Sequence, residues 1–234
     1  MLSRILPALA LSGFSLLAHA TPVAALYQTH CAACHGEQRQ GAMAPALLPQ
    51  SLERVRPAEA LAVIQQGRPA TQMAGFSGTL SAEDIASLAA FIRTEPTTPP
   101  RWTAADITAS RIEHVKPHSL PDTPRFRADP QNLFLVVEAG THHVTVLDGD
   151  TLTPIHRFKS RFALHGGPKY SRDGRYVFFA SRDGWVSKFD LWNLTTVAEI
   201  RVGLNTRNLA VSDDGQWVMV GNTLPNTLIL LDAE

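Results

Sequence analysis

Two stretches of this chain are near copies of each other. "SRDGRYVFFAS" begins at residue 171 and "SDDGQWVMVGN" at residue 212, and the aspartates Asp148, Asp190 and Asp232, each closing an apolar run, are spaced 42 residues apart. Between 132 and 234 the chain is a succession of short β-branched or aromatic runs: "LFLVVEAG", "HVTVLDGD", "RYVFFASRDG", "WVSKFDLW", "TTVAEIRVG", "QWVMVGN" and "TLILLDAE". Asp-Gly and Asn turns separate them. A period of roughly 40 to 45 residues with four strands per unit is the signature of a β-propeller, each unit being one blade. The 103 residues from Asn132 to Glu234 make about two and a half blades, whereas propellers close with roughly four to eight. The expectation is therefore an N-terminal piece of a longer, truncated propeller, because an open blade exposes unpaired strand edge.

Upstream the texture is different. "CAACHG", residues 31–36, holds both cysteines of the chain. A disulfide between cysteines two residues apart would be a labile redox couple rather than a staple. A zinc site fails on ligand count, since no second cysteine pair or spaced histidine pair completes four ligands. What C-x-x-C-H does satisfy is c-type haem attachment: Cys31 and Cys34 bond covalently to the macrocycle and His35 ligates the iron. Arg4, the apolar run from Ile5 to Leu17, and Ala18-His19-Ala20 read as a cleavable secretory signal over residues 1–20. The run is too short for a stable membrane anchor. The mature protein is expected in a bacterial periplasm, with no membrane span after cleavage.

An electron-transfer haem needs a sixth ligand, and a thioether there raises the potential. Besides Met1 the candidates are Met43, Met73 and Met219. Met73 lies in "GRPATQMAGF", a Gly/Pro-punctuated loop between two helical patterns, and is the expected ligand; Met43 in "GAMAPALLP" is the second candidate. "PVAALYQTHCAACHG" places Val23, Leu26 and Tyr27 on one helix face and stops at Gly36. "RPAEALAVIQQG" ends at Gly67, and "SAEDIASLAAFIR" opens with Ser81 as N-cap and carries an Ile85, Leu88, Phe91, Ile92 stripe. Residues 21–98 thus read as an all-α cytochrome c domain, in which the haem supplies core that so short a chain lacks. "TEPTTPPRW" cannot continue a helix, so 99–131 reads as an extended linker in which "TAADITASRIEHV" could hold one short helix. Residues 132–234 are the first blades.

A cytochrome c joined through a proline-rich connector to a propeller resembles the family of cytochrome cd1 nitrite reductase and its relatives, in which an eight-bladed propeller holds haem d1. The resemblance covers almost the whole mature chain and is strongest in "FALHGGPKYSRDGRYVFFASRDGWVSKFDLWNLTTVAEIRVGLNTRN". The "GRPATQMAGF" segment is similar to the Met loop of class I cytochromes c. The family's d1-iron histidine falls on His165 in "FALHGG", beside glycines that let a flat ligand approach the backbone. Haem d1 carries several carboxylates; Arg182 and Arg207 fall at the family's arginine positions, and Lys169 lies near a third basic one.

Within the family, the cytochrome part is more similar to the c-haem-bearing dihydro-haem d1 dehydrogenases of d1 biosynthesis than to nitrite reductases. The resemblance implies oxidation of a propionate of the precursor to an acrylate, with electrons passing to the c haem. It also implies a periplasmic electron-transfer partner and a homodimer. The alternatives are nitrite reduction to nitric oxide, or plain electron carriage by a cytochrome whose β part only binds a partner. The family's distal residues lie in later blades, so no catalytic acid or base is assigned; the segment alone would act as an electron carrier. With 21 residues of each charge sign and no basic stripe, nucleic acid is not an expected partner. No phosphate-cradling glycine loop or nucleophile elbow is present.

Overall fold

The repeated Ser-x-Asp-Gly stretches are turns of one design. In a computed structural model that describes residues 22–69 and 71–234, with only the backbone of His165, the Tyr176 amide donates to Ser171 Oγ at 2.9 Å and the Arg175 amide to Asp173 Oδ1 at 3.1 Å. Forty-one residues later the Trp217 amide donates to Ser212 Oγ at 2.9 Å and the Gln216 amide to Asp214 Oδ1 at 3.0 Å. Each serine hydroxyl also donates to its aspartate. Gly174 and Gly215 both sit at φ +72°, the left-handed region that glycine enters without a Cβ penalty. The "SRDG" at 181 is a tighter version: the Trp185 amide, four residues on, donates to Ser181 Oγ at 3.2 Å, the Ser181 hydroxyl donates to Asp183, and Gly184 sits at φ +89°. The expected secretory signal, 1–20, lies outside the described residues.

The strands that these turns connect belong to a set of three antiparallel sheets. The first is β2 (Leu133–Glu138), β3 (His143–Asp148) and β4 (Pro154–Lys159) in that order. The second runs β5 (Leu164–Tyr170), β6 (Tyr176–Ser181), β7 (Trp185–Asp190), β8 (Thr195–Arg201), with β5 at one edge. The third is β9 (Asn205–Val211), β10 (Trp217–Leu224), β11 (Asn226–Asp232). Asp148, Asp190 and Asp232 close β3, β7 and β11, so the 42-residue spacing marks the same strand of three successive propeller blades. Strands β4, β5 and β9 did not stand out in the sequence.

Blade 2 is covered on both faces. Val177, Phe179, Phe189 and Leu191 pack on Val144 and Val146 of blade 1, and Phe178, Ala180 and Val186 pack on Leu209, Val218 and Val220 of blade 3. The unbroken run "YVFFA" follows from this, since a strand buried on both faces does not alternate with polar residues. Phe158 of blade 1 stacks on Phe189 with ring centroids 3.9 Å apart.

The N-terminal part is helical: α1 (Val23–His30), α2 (Ala32–His35), a 3₁₀ turn (Pro49–Leu52), α3 (Pro57–Gln66) and α4 (Ala82–Phe91). Ser81 caps α4 by accepting from the Asp84 amide at 3.1 Å. Leu26, Tyr27, Ile64, Ile85, Leu88 and Ile92 form the core that joins the helices. No helix among the described residues is long and apolar enough to cross a membrane.

The connector is ordered and docked rather than a free tether. It holds α5 (Ala104–Ala109), opened by a Thr103/Asp106 capping box, and β1 (Ile112–Glu113), which adds a fifth strand to blade 2 beside β8. Further on, Arg175 donates to the carboxylate of Asp122 and the carbonyl of Pro121, and also to Asp190 at 3.0 Å. The connector therefore covers the outer edge of blade 2.

One ionic cluster ties the three strands of blade 1 together. Arg157 on β4 makes a bidentate pair with Glu138 on β2 at 2.9 and 2.7 Å, and Thr145 on β3 donates to the same carboxylate at 2.6 Å. These bonds, Arg157 foremost, hold Glu138 at a pKa of about 2, below the ordinary value of about 4.3. The ionised form is the one favoured by folding. Its contribution is present above the unfolded-state value and is lost as pH falls through about 2. Glu138→Gln is expected to melt at lower temperature than the parent at pH 7, with the difference shrinking between about pH 4.3 and 2. Thermal unfolding followed by circular dichroism checks this; an undiminished difference at pH 2 would remove Glu138 as its source.

Candidate cofactor sites

The first site is built around α2. His35 is 8% exposed, and its Nδ1 lies 2.7 Å from the Pro45 carbonyl oxygen. A carbonyl only accepts, so Nδ1 carries the proton and Nε2 is left with the lone pair a metal needs. Burial lowers the pKa of the ring and so favours the neutral imidazole, opposed by the bond to Pro45. Cys31 and Cys34 are both free thiols, the first half-buried and the second exposed. Burial, and then the neighbouring Cys34, push the Cys31 thiol up to about 11.

The loop after α2 is folded back onto it. The Gly41 amide donates to the His35 carbonyl at 2.8 Å and the Ala44 amide to the Cys34 carbonyl at 2.9 Å. Gly36 and Gly41 sit at φ +80° and +78°, and a Cβ on Gly36 would stand 2.9 Å from the Gly41 oxygen. Nearby, Tyr27 Oη donates to the Gly36 carbonyl at 2.8 Å, and buried Arg39 donates to the carbonyls of Phe91 and Thr94 at 2.7 and 3.0 Å. The loop carrying Pro45 is thus anchored to α1 and α4.

Met73 lies half-buried in its loop, whereas Met43 is 66% exposed. The Arg68 amide donates to the Met73 carbonyl at 2.9 Å and the Met73 amide to Thr71 Oγ1 at 3.1 Å. A Cβ on Gly67 would stand 2.6 Å from the Met73 oxygen, so the loop lies against the end of α3. Phe76 closes the loop, edge-on to His30 of α1 at 5.9 Å. The donor set of two thiols, an imidazole with a fixed free nitrogen and a thioether fits a c-type haem. Met219, on β10, belongs to the propeller.

The second site lies at the inner edges of blades 2 and 3. His165 is on β5, paired in register with Ala180, and the ladder is irregular between His165 and Lys169. Gly166 and Gly167 within that irregularity have φ +85° and +73°. A Cβ on Gly166 would stand 2.4 Å from Asn208 Oδ1 and 3.1 Å from the Arg207 carbonyl, so β5 and β9 touch at this point. Lys169 Nζ donates to the Gly166 carbonyl at 2.8 Å. The Arg182 amide donates to the Ala163 carbonyl, two residues before His165, at 3.2 Å. Both arginines are exposed. The backbone at the four positions singled out in the sequence therefore lies around the start of β5, where β5 meets β9.

Sequence reasoning missed the Pro45 carbonyl, Arg39 and the Gly166–Asn208 contact. Pro45 was legible only as a proline after the haem motif. The other two depend on what lies across the fold.

Residues 128–234 match the family described as Cytochrome D1 heme domain, and residues 18–92 match Cytochrome C oxidase, cbb3-type, subunit III. The chain is 60% identical over 212 residues to dihydro-heme d1 dehydrogenase of Pseudomonas aeruginosa, covering 91% of this chain and 43% of that relative. It is 26% identical over 230 residues to nitrite reductase of Stutzerimonas stutzeri, covering 89% of this chain and 40% of the relative. The solved structure of dihydro-heme d1 dehydrogenase NirN in complex with DHE superposes with a TM-score of 0.88 at 60% identity, over 91% of this chain and 46% of that one. The chain spans less than half the length of these relatives.

Gly166→Ala is expected to destabilise the propeller by roughly 1–3 kcal/mol through left-handed strain and the collision with Asn208. Adding Asn208→Ala should recover only part of that loss, since the backbone strain remains. Urea unfolding midpoints of the single and double variants measure both quantities.

Proposed function

Because the chain belongs to the cytochrome cd1 family, with a c-type cytochrome domain ahead of a Cytochrome D1 heme domain, we propose that it is the electron-accepting and d1-binding part of a periplasmic dihydro-haem d1 dehydrogenase. The observation that carries this reading is the His35 imidazole, its Nδ1 fixed on Pro45 and its Nε2 free, beside two free thiols. The 60% identity to a dihydro-heme d1 dehydrogenase, against 26% to a nitrite reductase, favours dehydrogenation over nitrite reduction.

The proposed domain limits are 1–20 for the signal, 21–98 for the cytochrome, 99–131 for the connector and 132–234 for the propeller blades. Haem c supplies a one-electron relay when bound. Cys31 and Cys34 tether it covalently, and His35 and Met73 provide the iron ligands. The Pro45 carbonyl holds the imidazole in the productive tautomer and makes it a stronger donor. Burial of His35 keeps water from competing for the same position.

In the propeller, His165 ligates the iron of the d1 substrate, and Arg182, Arg207 and Lys169 receive its carboxylates. Where a Cβ on Gly167 would stand the nearest atom is Lys169 Nζ at 3.9 Å, so the backbone there is open to a ligand, and the Lys169 ammonium is held beside it by the Gly166 carbonyl. Removing two hydrogens from a carbon–carbon bond releases two electrons and two protons. A one-electron relay must therefore turn over twice per substrate, passing each electron to an external periplasmic acceptor.

A visible spectrum of the protein made in a periplasm with haem-attachment machinery tests the reading. The parent should keep its haem through denaturation, the Cys31→Ala/Cys34→Ala double variant should lose it, and Met73→Ala should keep it with a lowered potential. Titration of full-length protein with haem d1 should show about tenfold or more weaker binding for His165→Ala, the c-haem spectrum being unchanged. Uptake of haem d1 indifferent to His165 would leave an electron carrier only.

A further inference from the structure

The cytochrome and propeller parts meet at one buried cation. Arg201 ends β8, is 6% exposed, and donates through Nη2 to the Gln40 carbonyl at 2.7 Å, through Nη1 to the Gly41 carbonyl at 3.5 Å and through Nε to the Asp183 carbonyl at 2.9 Å. Its guanidinium lies 4.7 Å from the ring centroid of Trp102, and Trp102 Nε1 donates to the Arg201 carbonyl at 2.9 Å. Beside it Ala46 and Leu48 from the cytochrome loop pack on Leu204 and Leu224 of the propeller, all buried. Pro45, whose carbonyl holds His35, therefore sits between two points where the propeller grips the loop: the Gln40–Gly41 carbonyls and the Ala46–Leu48 side chains.

The gripping side is braced by its own hydrogen bonds. The Val202 amide donates to Gly184, the Leu204 amide to Leu224, and buried Asn222 bonds the Val202 carbonyl and the Thr206 hydroxyl at 2.9 and 2.7 Å. A Cβ on Gly41 would lie 3.1 Å from Arg201 Nη2, so the cation closes directly over the loop backbone. The loop, in turn, is bonded to α2 by the Gly41 amide on the His35 carbonyl.

We propose that Arg201 is a positioning residue for haem c: by clamping residues 40–41 to the propeller, it fixes the Pro45 carbonyl on His35 and so holds down the redox potential of the haem. This inference rests on the haem c reading above. A taut Nδ1–H···O bond makes the imidazole a better donor and favours the ferric state; slackening the loop weakens the bond and raises the potential. The same β8–β9 connection runs on into Arg207, so the clamp belongs to the segment that also carries a cation of the second site.

The test is the haem c midpoint potential of the protein by spectroelectrochemistry. Arg201→Lys keeps the charge but replaces a three-pronged fork with a single ammonium. It is expected to raise the potential, by about 59 mV if the ferrous-to-ferric ratio shifts tenfold. Arg201→Gln separates geometry from charge, because loss of a nearby cation by itself favours the ferric state and lowers the potential. An unchanged potential in Arg201→Lys, with or without a fall in Arg201→Gln, would overturn the proposal. Should Arg201→Lys fail to accumulate, Trp102→Phe keeps a ring under the guanidinium while deleting its bond to the Arg201 carbonyl; a smaller rise supports the clamp and no change overturns it. Absence of covalent haem in the parent protein would instead sink the haem c reading.

Discussion

A serine hydroxyl and an aspartate carboxylate, each accepting a main-chain amide across a glycine turn, set the register of the propeller part. Because side chains alternate faces along a strand, a one-residue slip would carry Phe178 and Ala180 to the opposite side of blade 2 and break both of its interfaces. Ser171, Ser181 and Ser212 prevent that slip at three places by bonding the amides of Tyr176, Trp185 and Trp217. Each turn also absorbs a left-handed glycine, which no β-branched residue could replace without strain. The hydrophobic faces supply most of the energy; the turns decide which faces meet.

The cytochrome part depends on the same economy of main-chain bonds. Its helices share one small core, and the loop from Arg39 to Leu48 is held by Phe91, Thr94, Cys34 and His35 on one side and by the propeller on the other. The connector adds Trp102 at that junction and Ile107 to the blade 2–blade 3 core. A segment rich in proline thus becomes structural, because proline forbids a continuing helix but leaves extended backbone free to lie along a sheet edge.

Legibility followed the residue type. The haem motif, the Ser81 cap, the helix stops at Gly36 and Gly67 and the 42-residue spacing were all readable, since each is a local rule written in adjacent residues. Strands β5 and β9 were not, because they carry "HGGPK" and "NTRN" where a strand pattern needs alternating apolar residues. Their irregular composition goes with the left-handed glycines Gly166 and Gly167 and with the close approach of β5 to β9 at Asn208. Strand β4 hid behind His156, Arg157 and Lys159 for a different reason: Arg157 is bound to Glu138 rather than to the core. The grouping of His165, Lys169, Arg182 and Arg207 as one proposed site rests on family resemblance. Their separate local contexts contain nothing that brings them together.

Arg201 was invisible for the opposite reason: "EIRVG" reads as an ordinary strand end with a solvated charge. Stability alone does not explain a guanidinium buried to 6% exposure. Taking a cation out of water costs several kcal/mol, and an apolar side chain of similar volume would often serve the core as well or better. What an apolar side chain cannot do is grip three carbonyls from two parts of the fold at once. Hydrogen bonds from a planar fork fix direction as well as distance, and direction is what a carbonyl must have to hold one nitrogen of His35. The same burial lowers the pKa of Arg201, opposed by the nearby Asp183 charge, which is itself buried and bonded to Ser181. The turn that sets the blade register and the cation that reaches the haem loop are therefore neighbours in one polar cluster, so propeller geometry and His35 geometry are mechanically linked.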